Sequence, residues 1–262
     1  MASTLGYDRD ATVAAVTSYY EFLIRMYLPE HSIMYPPPGG WSIPERQTFS
    51  PEKDDTVLDL VRHLPYLEPP EDWEQIFMYE KCTAVNYTYL KGTGPHNIDP
   101  PPEETLLPSH VAMLGFTPGR NGHYIFIDTK RGTATLCDFQ KGGKGGTELS
   151  QNPDNLEGAL TRTSDTGEEL KEHWREHPTY ATGDFFDMLR KQFQDLEVVP
   201  HPKGEVEFRR FPPGVDTAGD ALKAIFRECG WPGEAYRKGE CMKRVREFDG
   251  ESDEEDEADE DD

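Results

Sequence analysis

Two histidines one helical turn apart are the first candidates for metal chemistry. His173 and His177 stand at i and i+4 in the segment HWREH, a spacing that lets both rings face one divalent ion from a helix. The zinc-protease pattern requires a glutamate directly after the first histidine, and here that position holds Trp174. The sequence offers no identifiable third ligand. We therefore interpret the segment as a solvated polar helix and predict no metal site.

A glycine-rich run around Lys144 is the candidate for phosphate binding. Residues 142–146 read GGKGG, but a phosphate-cradling loop needs the pattern GxxxxGK[ST]. The residue after Lys144 is Gly145, so we predict a mobile loop over residues 141–165. The chain also lacks the GxSxG motif of esterases and the GxGxxG motif of dinucleotide folds. We predict no cofactor and no catalytic residue from motifs.

Acid–base chemistry would need residues that are distant in sequence. The adjacent pairs at 54–55 and 103–104 point in different directions on a helix, and we interpret them as surface charge. An enzyme would be indicated by a pocket in which at least two of five side chains converge. These are His63, His110, His123, Asp128 and Asp138.

The C-terminal segment carries the strongest functional signal. Residues 249–262 contain 11 carboxylates and no basic residue, so they can bury too little apolar surface to offset the entropy of ordering. We predict a disordered acidic tail that contacts basic partners. Ser252 is followed by Asp253, Glu254 and Glu255, a context that acidophilic serine kinases favour, and we predict that it is phosphorylated.

A basic segment precedes the acidic tail. One interpretation is a partner-binding patch, and the alternative is charge compensation within a terminal helix. The residues concerned are Arg237, Lys238, Lys243, Arg244 and Arg246.

Composition excludes several classes of partner. The chain of 262 residues has a net charge of −23, and without the 11 tail carboxylates the remainder still has −12. Such a field repels a phosphate backbone, so we expect no nucleic-acid binding.

The most apolar stretch, residues 13–28, is interrupted by polar residues and is too short to cross a bilayer. With no signal peptide and no CxxC pair, we expect a cytoplasmic or nuclear protein whose four cysteines are buried and free.

Hydrophobic periodicity predicts helices at both ends of the chain and strands between them. After a flexible segment, residues 1–10, we expect a helix over 11–28 capped by Asp10 and one over 51–64 capped by Ser50. Further helices are expected at 166–177, 183–196, 217–229 and 234–248. In the loop 35–41, proline stiffens the chain and Trp41 can anchor it against the core.

The central segments alternate or carry short apolar runs. We predict strands at 83–90 and 111–116, a hairpin of 124–128 with 133–139, and a strand pair within 198–211 around Gly204. Gly132 in the hairpin turn can adopt positive φ. The pattern indicates one α+β domain over 11–248, with a central, mostly antiparallel sheet flanked by helices.

Several phrases resemble a set of uncharacterised filamentous-fungal proteins. They are YYEFL at 19–23, PPGGW at 37–41, LVRHLPY at 60–66, HPT at 177–179 with FF at 185–186, GWP at 230–232, and YRK at 236–238 with Cys241. The resemblance implies a fungal source and a shared architecture over about residues 11–248, and it implies no activity.

A second resemblance is to the SUKH superfamily, which includes a yeast cell-wall-assembly regulator and bacterial toxin-immunity proteins. The similar pieces are LP at 107–108, YIFID at 124–128 with DF at 138–139, and GDFF at 183–186 leading to DLE at 195–197. It implies a twisted sheet flanked by helices and a domain that binds other proteins.

Three functional hypotheses follow from these observations. The first is a non-enzymatic interaction, regulatory or scaffold protein whose acidic tail contacts basic partners. The second is an enzyme with a site assembled from distant residues. The third is an acidic-tailed chaperone for basic proteins.

Overall fold

The architecture is known from a computed structural model of the chain. It describes residues 6–43, 52–71, 73, 75–89, 107–117, 122–137, 177–203, 205–210 and 217–258. The predicted loop at 141–165, most of the predicted helix at 166–177, Ser50, Asp138 and residues 259–262 lie outside these ranges.

Five α-helices occur in the described ranges. They are α1 Arg9–Met26, α2 Asp55–His63, α3 Thr182–Gln194, α4 Thr217–Glu228 and α5 Lys238–Ala258. Within these ranges, none of the helices combines the length and the apolarity that crossing a membrane requires.

In the ranges that the structure describes, ten strands form three antiparallel sheets. They are β1 Ile33–Met34, β2 Tyr66–Leu67, β3 Phe77–Tyr79, β4 Cys82–Ala84, β5 Val111–Phe116, β6 Tyr124–Asp128, β7 Thr133–Cys137, β8 Thr179–Ala181, β9 Val198–Lys203 and β10 Glu205–Arg210. Strands β3 to β8 make a curled sheet of six strands in sequence order. Strands β1 and β2 form one separate pair, and β9 and β10 form another. The predicted α+β class and the central antiparallel sheet are confirmed.

The β6–β7 hairpin is the most accurately predicted part of the sheet. Tyr124 pairs with Cys137 and Asp128 pairs with Thr133. Gly132 has φ +67 in the connecting turn, a conformation that a residue with a Cβ adopts only with strain. Its carbonyl accepts a hydrogen bond from the Thr182 backbone N–H at 3.1 Å, so the turn also positions the start of α3.

The central strands are covered on both faces. Every residue of β6 and β7 is buried, whereas a sheet with one solvated face would show alternating burial. Helix α1 and the residue that follows it reach the edge strand β3 through two tyrosines. The hydroxyl of Tyr19 donates to the Met78 carbonyl oxygen at 2.5 Å, and that of Tyr27 donates to the carbonyl oxygen of Phe77.

One contiguous core cluster extends from Val16 to Val245. Its largest fully buried side chains are aromatic: Tyr19, Tyr20, Tyr66, Tyr79, Tyr87, Phe126, Phe185, Phe186, Phe193 and Phe226. The four cysteines are buried and unbridged, which confirms that prediction.

The first two helices begin at different residues from those predicted. Helix α1 starts at Arg9, because the side chain of Asp8, not Asp10, accepts the Ala11 backbone N–H at 2.8 Å. Helix α2 starts at Asp55, because the carboxylate of Asp54 caps it by accepting the Val57 N–H at 3.0 Å. The predicted strand at 83–90 ends at Ala84, and Tyr87–Tyr89 form a 3-10 turn.

The last helix is shifted relative to its predicted range. It begins at Lys238 instead of residue 234 and continues through Ala258 instead of ending at Phe248. The backbone of 249–258 is therefore helical where the sequence predicts disorder. Glutamate and alanine favour helix, and beyond Phe248 the described segment contains only Gly250 as a residue that strongly disfavours it.

Candidate functional site

The predicted basic segment forms the first three turns of α5 and the residue before them. Cys241, Met242 and Val245 are buried against the core, while the basic residues lie on the remaining faces of the helix. The segment therefore joins the body of the protein to the acidic run, residues 249–262. The contacts of each basic side chain indicate whether that side chain is available to a partner.

Lys238 is engaged with helix α1. Its Nζ donates to the carbonyl oxygens of Ile24 and Leu28, each at 2.9 Å. The Ile24 carbonyl belongs to the last turn of α1 and the Leu28 carbonyl lies just beyond it. Backbone acceptors at a helix C-terminus lack intrahelical partners, and a positive charge is favourable there. Burial lowers the pKa of Lys238. This ammonium group holds the first and last helices together and is not a surface cation.

Arg237 and Arg244 are paired with acids of the same region. The Nε of Arg237 donates to Glu240 Oε2 at 2.6 Å, and its Nη2 donates to the Glu228 carbonyl oxygen at 2.9 Å. Arg244 donates to the carboxylate of Glu228. The hydrogen bond from Arg237 lowers the pKa of Glu240. The two contacts with Glu228 fasten α5 to the end of α4.

The two remaining cations lie closer to the acidic run. Lys243 Nζ is 3.5 Å from Glu247 Oε1, four residues along the same helix. Arg246 is exposed. Of the five predicted basic residues, four thus contact groups within the described body of the protein.

Aromatic contacts hold the corner between α4 and α5, which comprises residues 229–237. Trp231 is buried, and its Nε1 donates to the Phe193 carbonyl oxygen at 2.9 Å. Its ring lies 4.9 Å from that of Tyr236, and the guanidinium carbon of Arg25 lies 5.5 Å from the Trp231 ring centroid. The hydroxyl of Tyr236 donates to the Met26 carbonyl oxygen at 3.0 Å. The corner is therefore tied to both α1 and α3.

Two thiols lie beside this corner. Cys229 and Cys241 are both buried, and Arg244 Nη1 lies 3.9 Å from Cys229 Sγ. Burial raises the pKa of the Cys241 thiol to about 12. At neutral pH this thiol is protonated and is a poor nucleophile.

Two of the five candidate acid–base residues do meet. His110 Nε2 lies 3.8 Å from Asp128 Oδ1, and the Asp128 side chain is 1% exposed. The same Oδ1 accepts the backbone N–H groups of Lys130 at 2.9 Å and Arg131 at 3.2 Å. Thr129 donates through its N–H and its hydroxyl to the His110 carbonyl oxygen, at 3.0 and 2.8 Å. These contacts close the β6–β7 turn and fasten it to the start of β5.

The other candidate histidines lie apart from that pair. His63 Nδ1 is 2.7 Å from the Asp59 carbonyl oxygen in α2, and His123 Nδ1 is 3.0 Å from the Glu80 carbonyl oxygen. In the part of the chain that the structure describes, no group of three or more His, Cys, Asp or Glu residues could hold a metal ion. His173 and Asp138 lie outside that part.

Sequence reasoning found the basic residues and missed most of their partners. The pairs Arg237–Glu240 and Lys243–Glu247 are spaced i,i+3 and i,i+4, a signal that a helical sequence makes readable. The contacts of Lys238 with Ile24 and Leu28 span more than 200 residues, and no local pattern indicates them.

Comparison with protein-family models, with curated proteins and with solved structures found no match.

Proposed function

We propose that this chain is a non-enzymatic interaction protein whose acidic C-terminal segment binds basic proteins, in a regulatory or scaffold role. The segment includes residues 249–262 with 11 carboxylates. The observation that supports the proposal most directly is the engagement of the neighbouring cations. Lys238, Arg237 and Arg244 are held by α1, Glu240 and Glu228, so they are not available to neutralise the acidic run.

Unneutralised charge at one end of a protein favours long-range attraction of cationic partners. Such attraction accelerates encounter and weakens as salt screens it, with a Debye length of about 8 Å at physiological ionic strength. Three of the five basic residues make contacts elsewhere in the body, so the 11 carboxylates of 249–262 outnumber the two cations, Lys243 and Arg246, that lie closest to them. A basic partner would supply further lysine and arginine side chains.

The test is binding of a fluorescein-labelled deca-lysine peptide, followed by anisotropy at low and physiological salt. The full chain should bind at least about tenfold more tightly than a truncation after Phe248. A matched control keeps the length and changes the 11 acids of 249–262 to asparagine and glutamine, and it should bind like the truncation. Equal affinity of all three proteins contradicts the proposal.

The chaperone hypothesis is a narrower version of this function. It requires that the acidic segment keep a basic protein soluble, which the full chain should do for a lysine-rich protein at low salt in a turbidity assay. A truncation after Phe248 that suppresses turbidity equally well would exclude that role and leave simple binding intact.

Phosphorylation of Ser252 would strengthen the same interaction. A phosphate adds roughly −1.5 to −2 charges at neutral pH, and Ser252 lies in the acidic part of α5. Incubation with an acidophilic serine kinase should modify this residue, detected by mass spectrometry, and Ser252→Ala should abolish that signal. An unmodified Ser252 peptide at full coverage would contradict the assignment.

We further infer that the fold is of the SUKH type and that the chain belongs with the filamentous-fungal proteins it resembles. The SUKH inference is supported by the order of pieces: Leu107 and Pro108 before β5, then the β6–β7 hairpin, then α3. An experimental structure tests it by superposition on a SUKH member. Equivalent hairpin and helix positions would support it, and a different strand order would overturn it.

The enzyme hypothesis has one observation in its favour, the meeting of His110 with Asp128. The contacts of this pair are accounted for by closure of the β6–β7 turn, so we do not propose a reaction for it.

A further inference from the structure

A proline-rich loop follows β1 at the surface. Residues 35–38 read YPPP and are followed by two glycines. Tyr35 is 54% exposed and is the only large hydrophobic side chain that is exposed among the described residues. Pro37, Pro38 and Gly39 are exposed as well. An aromatic ring and a run of proline are therefore exposed side by side.

Local chemistry restricts this segment to an extended form. Proline fixes its own φ near −65°, and a residue that precedes proline is driven toward extended or polyproline II geometry. Tyr35, Pro36 and Pro37 each precede a proline, so their sequence favours about one turn of polyproline II, which has three residues per turn.

A tight turn ends the extended segment. The Gly40 backbone N–H donates to the Pro37 carbonyl oxygen at 2.8 Å, and Gly39 has φ +92. Proline at the second position and glycine with positive φ at the third are the signature of a type II turn. The extended segment is thus presented on one side of a defined turn.

Both ends of the loop are fixed to the body. Ile33 in β1 pairs with Leu67 in β2. Beyond the turn, the Trp41 backbone N–H donates to the Arg62 carbonyl oxygen and its Nε1 donates to the Leu64 carbonyl oxygen, each at 2.8 Å. This confirms the predicted anchoring role of Trp41. A segment held in this way loses little conformational entropy on binding.

Charged groups of opposite sign flank the loop. The Tyr35 hydroxyl donates to Glu21 Oε1 at 2.9 Å, which holds the exposed ring beside an acidic residue. At the other end, Gly40 packs against Arg62, where an added Cβ would lie 2.8 Å from the Arg62 carbonyl oxygen. Arg62 is exposed. Because the acidic and basic residues lie at opposite ends, a binding groove could distinguish the two orientations of the segment.

We propose that residues 35–38 are a docking segment for a partner domain with an aromatic-lined groove that binds polyproline II. Such grooves accept extended proline-rich chain because its conformation is preformed. The partner would insert aromatic side chains between Tyr35 and Pro37 and would place an acidic side chain opposite Arg62. This surface is separate from the acidic segment and does not depend on it.

The test is an NMR titration of the ¹⁵N-labelled full chain with purified WW, SH3 and EVH1 domains. At least one of these domains should shift the resonances around residues 33–41 and bind with a Kd below about 1 mM, the weak range expected for one turn of ligand. Tyr35→Ala and Pro37→Ala should each weaken that binding at least about tenfold.

Controls separate this surface from general effects. Pro70→Ala changes a proline in another loop whose carbonyl oxygen also accepts a backbone N–H, from Trp73 at 2.9 Å, and it should bind as the parent does. A truncation after Phe248 should also bind as the parent does, which distinguishes failure here from failure of the acidic-segment proposal. Unchanged urea midpoints establish that the variants fold. The proposal is overturned if none of the three domains binds. It is also overturned if Tyr35→Ala and Pro37→Ala bind as tightly as the parent protein does.

Discussion

Lys238 is the single residue that most directly joins the last helix to the first. Its ammonium group satisfies two carbonyl oxygens at the end of α1, those of Ile24 and Leu28. Lys238→Met keeps the length of the side chain and removes the charge and both hydrogen bonds. We expect a loss of about 2 kcal/mol in the free energy of unfolding, because hydrogen bonds from charged groups stabilise by roughly 1.5–3 kcal/mol.

The matched control for this substitution is Lys243→Met in the same helix. Lys243 is exposed and forms an i,i+4 pair with Glu247 at 3.5 Å, which is worth about 0.3–0.5 kcal/mol. Urea denaturation measures both variants. Equal urea midpoints for the two variants would show that Lys238 stabilises the fold no more than a surface cation does. Lys238 would then again be a candidate for binding a partner.

Asp128 is predicted to be a structural residue of the β6–β7 turn. Asp128→Ala leaves the N–H groups of Lys130 and Arg131 without their acceptor, and we expect a loss of about 2 kcal/mol in the free energy of unfolding for this partly buried turn. Asp128→Asn retains an oxygen acceptor and should recover most of the stability. Thermal unfolding measures the order. An Asn variant as unstable as the Ala variant would mean that the negative charge beside His110 is what the site needs.

At the scale of elements, the close approach of β4 and β5 depends on a missing side chain. A Cβ on Gly115 would lie 2.6 Å from Cys82 Sγ and 3.3 Å from the Thr83 carbonyl oxygen. Gly115→Ala should therefore destabilise the protein by about 1–3 kcal/mol, the usual cost of overpacking. Because Cys82→Ala removes the nearest atom, the double variant should lose less than the sum of the single losses. Additive losses in urea unfolding would contradict this packing.

Elements with local signals could be predicted from the sequence, and elements without them could not. The β6–β7 hairpin joins two apolar runs across a four-residue turn with glycine at its end, so all its information is local. Strands β3 and β8 have three residues each. A strand of this length is too short to show the alternation of apolar and polar residues. Their place at the two edges of the six-stranded sheet is set by partners far away in the chain.

The same distinction holds for the candidate site. The acidic run and the basic residues before it are visible as composition, and the sequence left open whether the cations bind a partner or compensate charge. Contacts such as Lys238 with Leu28 and Arg244 with Glu228 bear on that choice, and no local pattern in the sequence indicates them. The exposure of Tyr35 was likewise not predictable, because periodicity does not say which aromatic ring a fold leaves uncovered.

At the scale of the whole molecule, the core is built on neutral tyrosines. Burial raises the pKa of Tyr7 and of Tyr124 to about 12, and raises those of Tyr19, Tyr27 and Tyr66 well above the ordinary value of 10.0. Because the unfolded chain releases these protons near pH 10, the stabilisation is fully present below that pH. This contribution to the stability of the folded protein is lost as the pH rises through about 12, where the buried tyrosines ionise and the protein unfolds.

Absorbance at 295 nm and far-ultraviolet circular dichroism, recorded on one sample during alkaline titration, check this prediction. We expect the exposed tyrosines to ionise first and the buried set to ionise together with loss of secondary structure. Complete ionisation near pH 10 with native circular dichroism would show that the tyrosines are accessible and that the core is not closed.

We propose that the acidic end of α5 and the residues after it are the part of the molecule that binds a basic partner. The most direct measurement is a ¹⁵N NMR titration of the full chain with the deca-lysine peptide at low salt. We expect shifts confined to residues 249–262 that disappear as salt is raised, with the resonances of Lys238 and Arg244 unmoved. Shifts located in the body, or none that saturate, would contradict it.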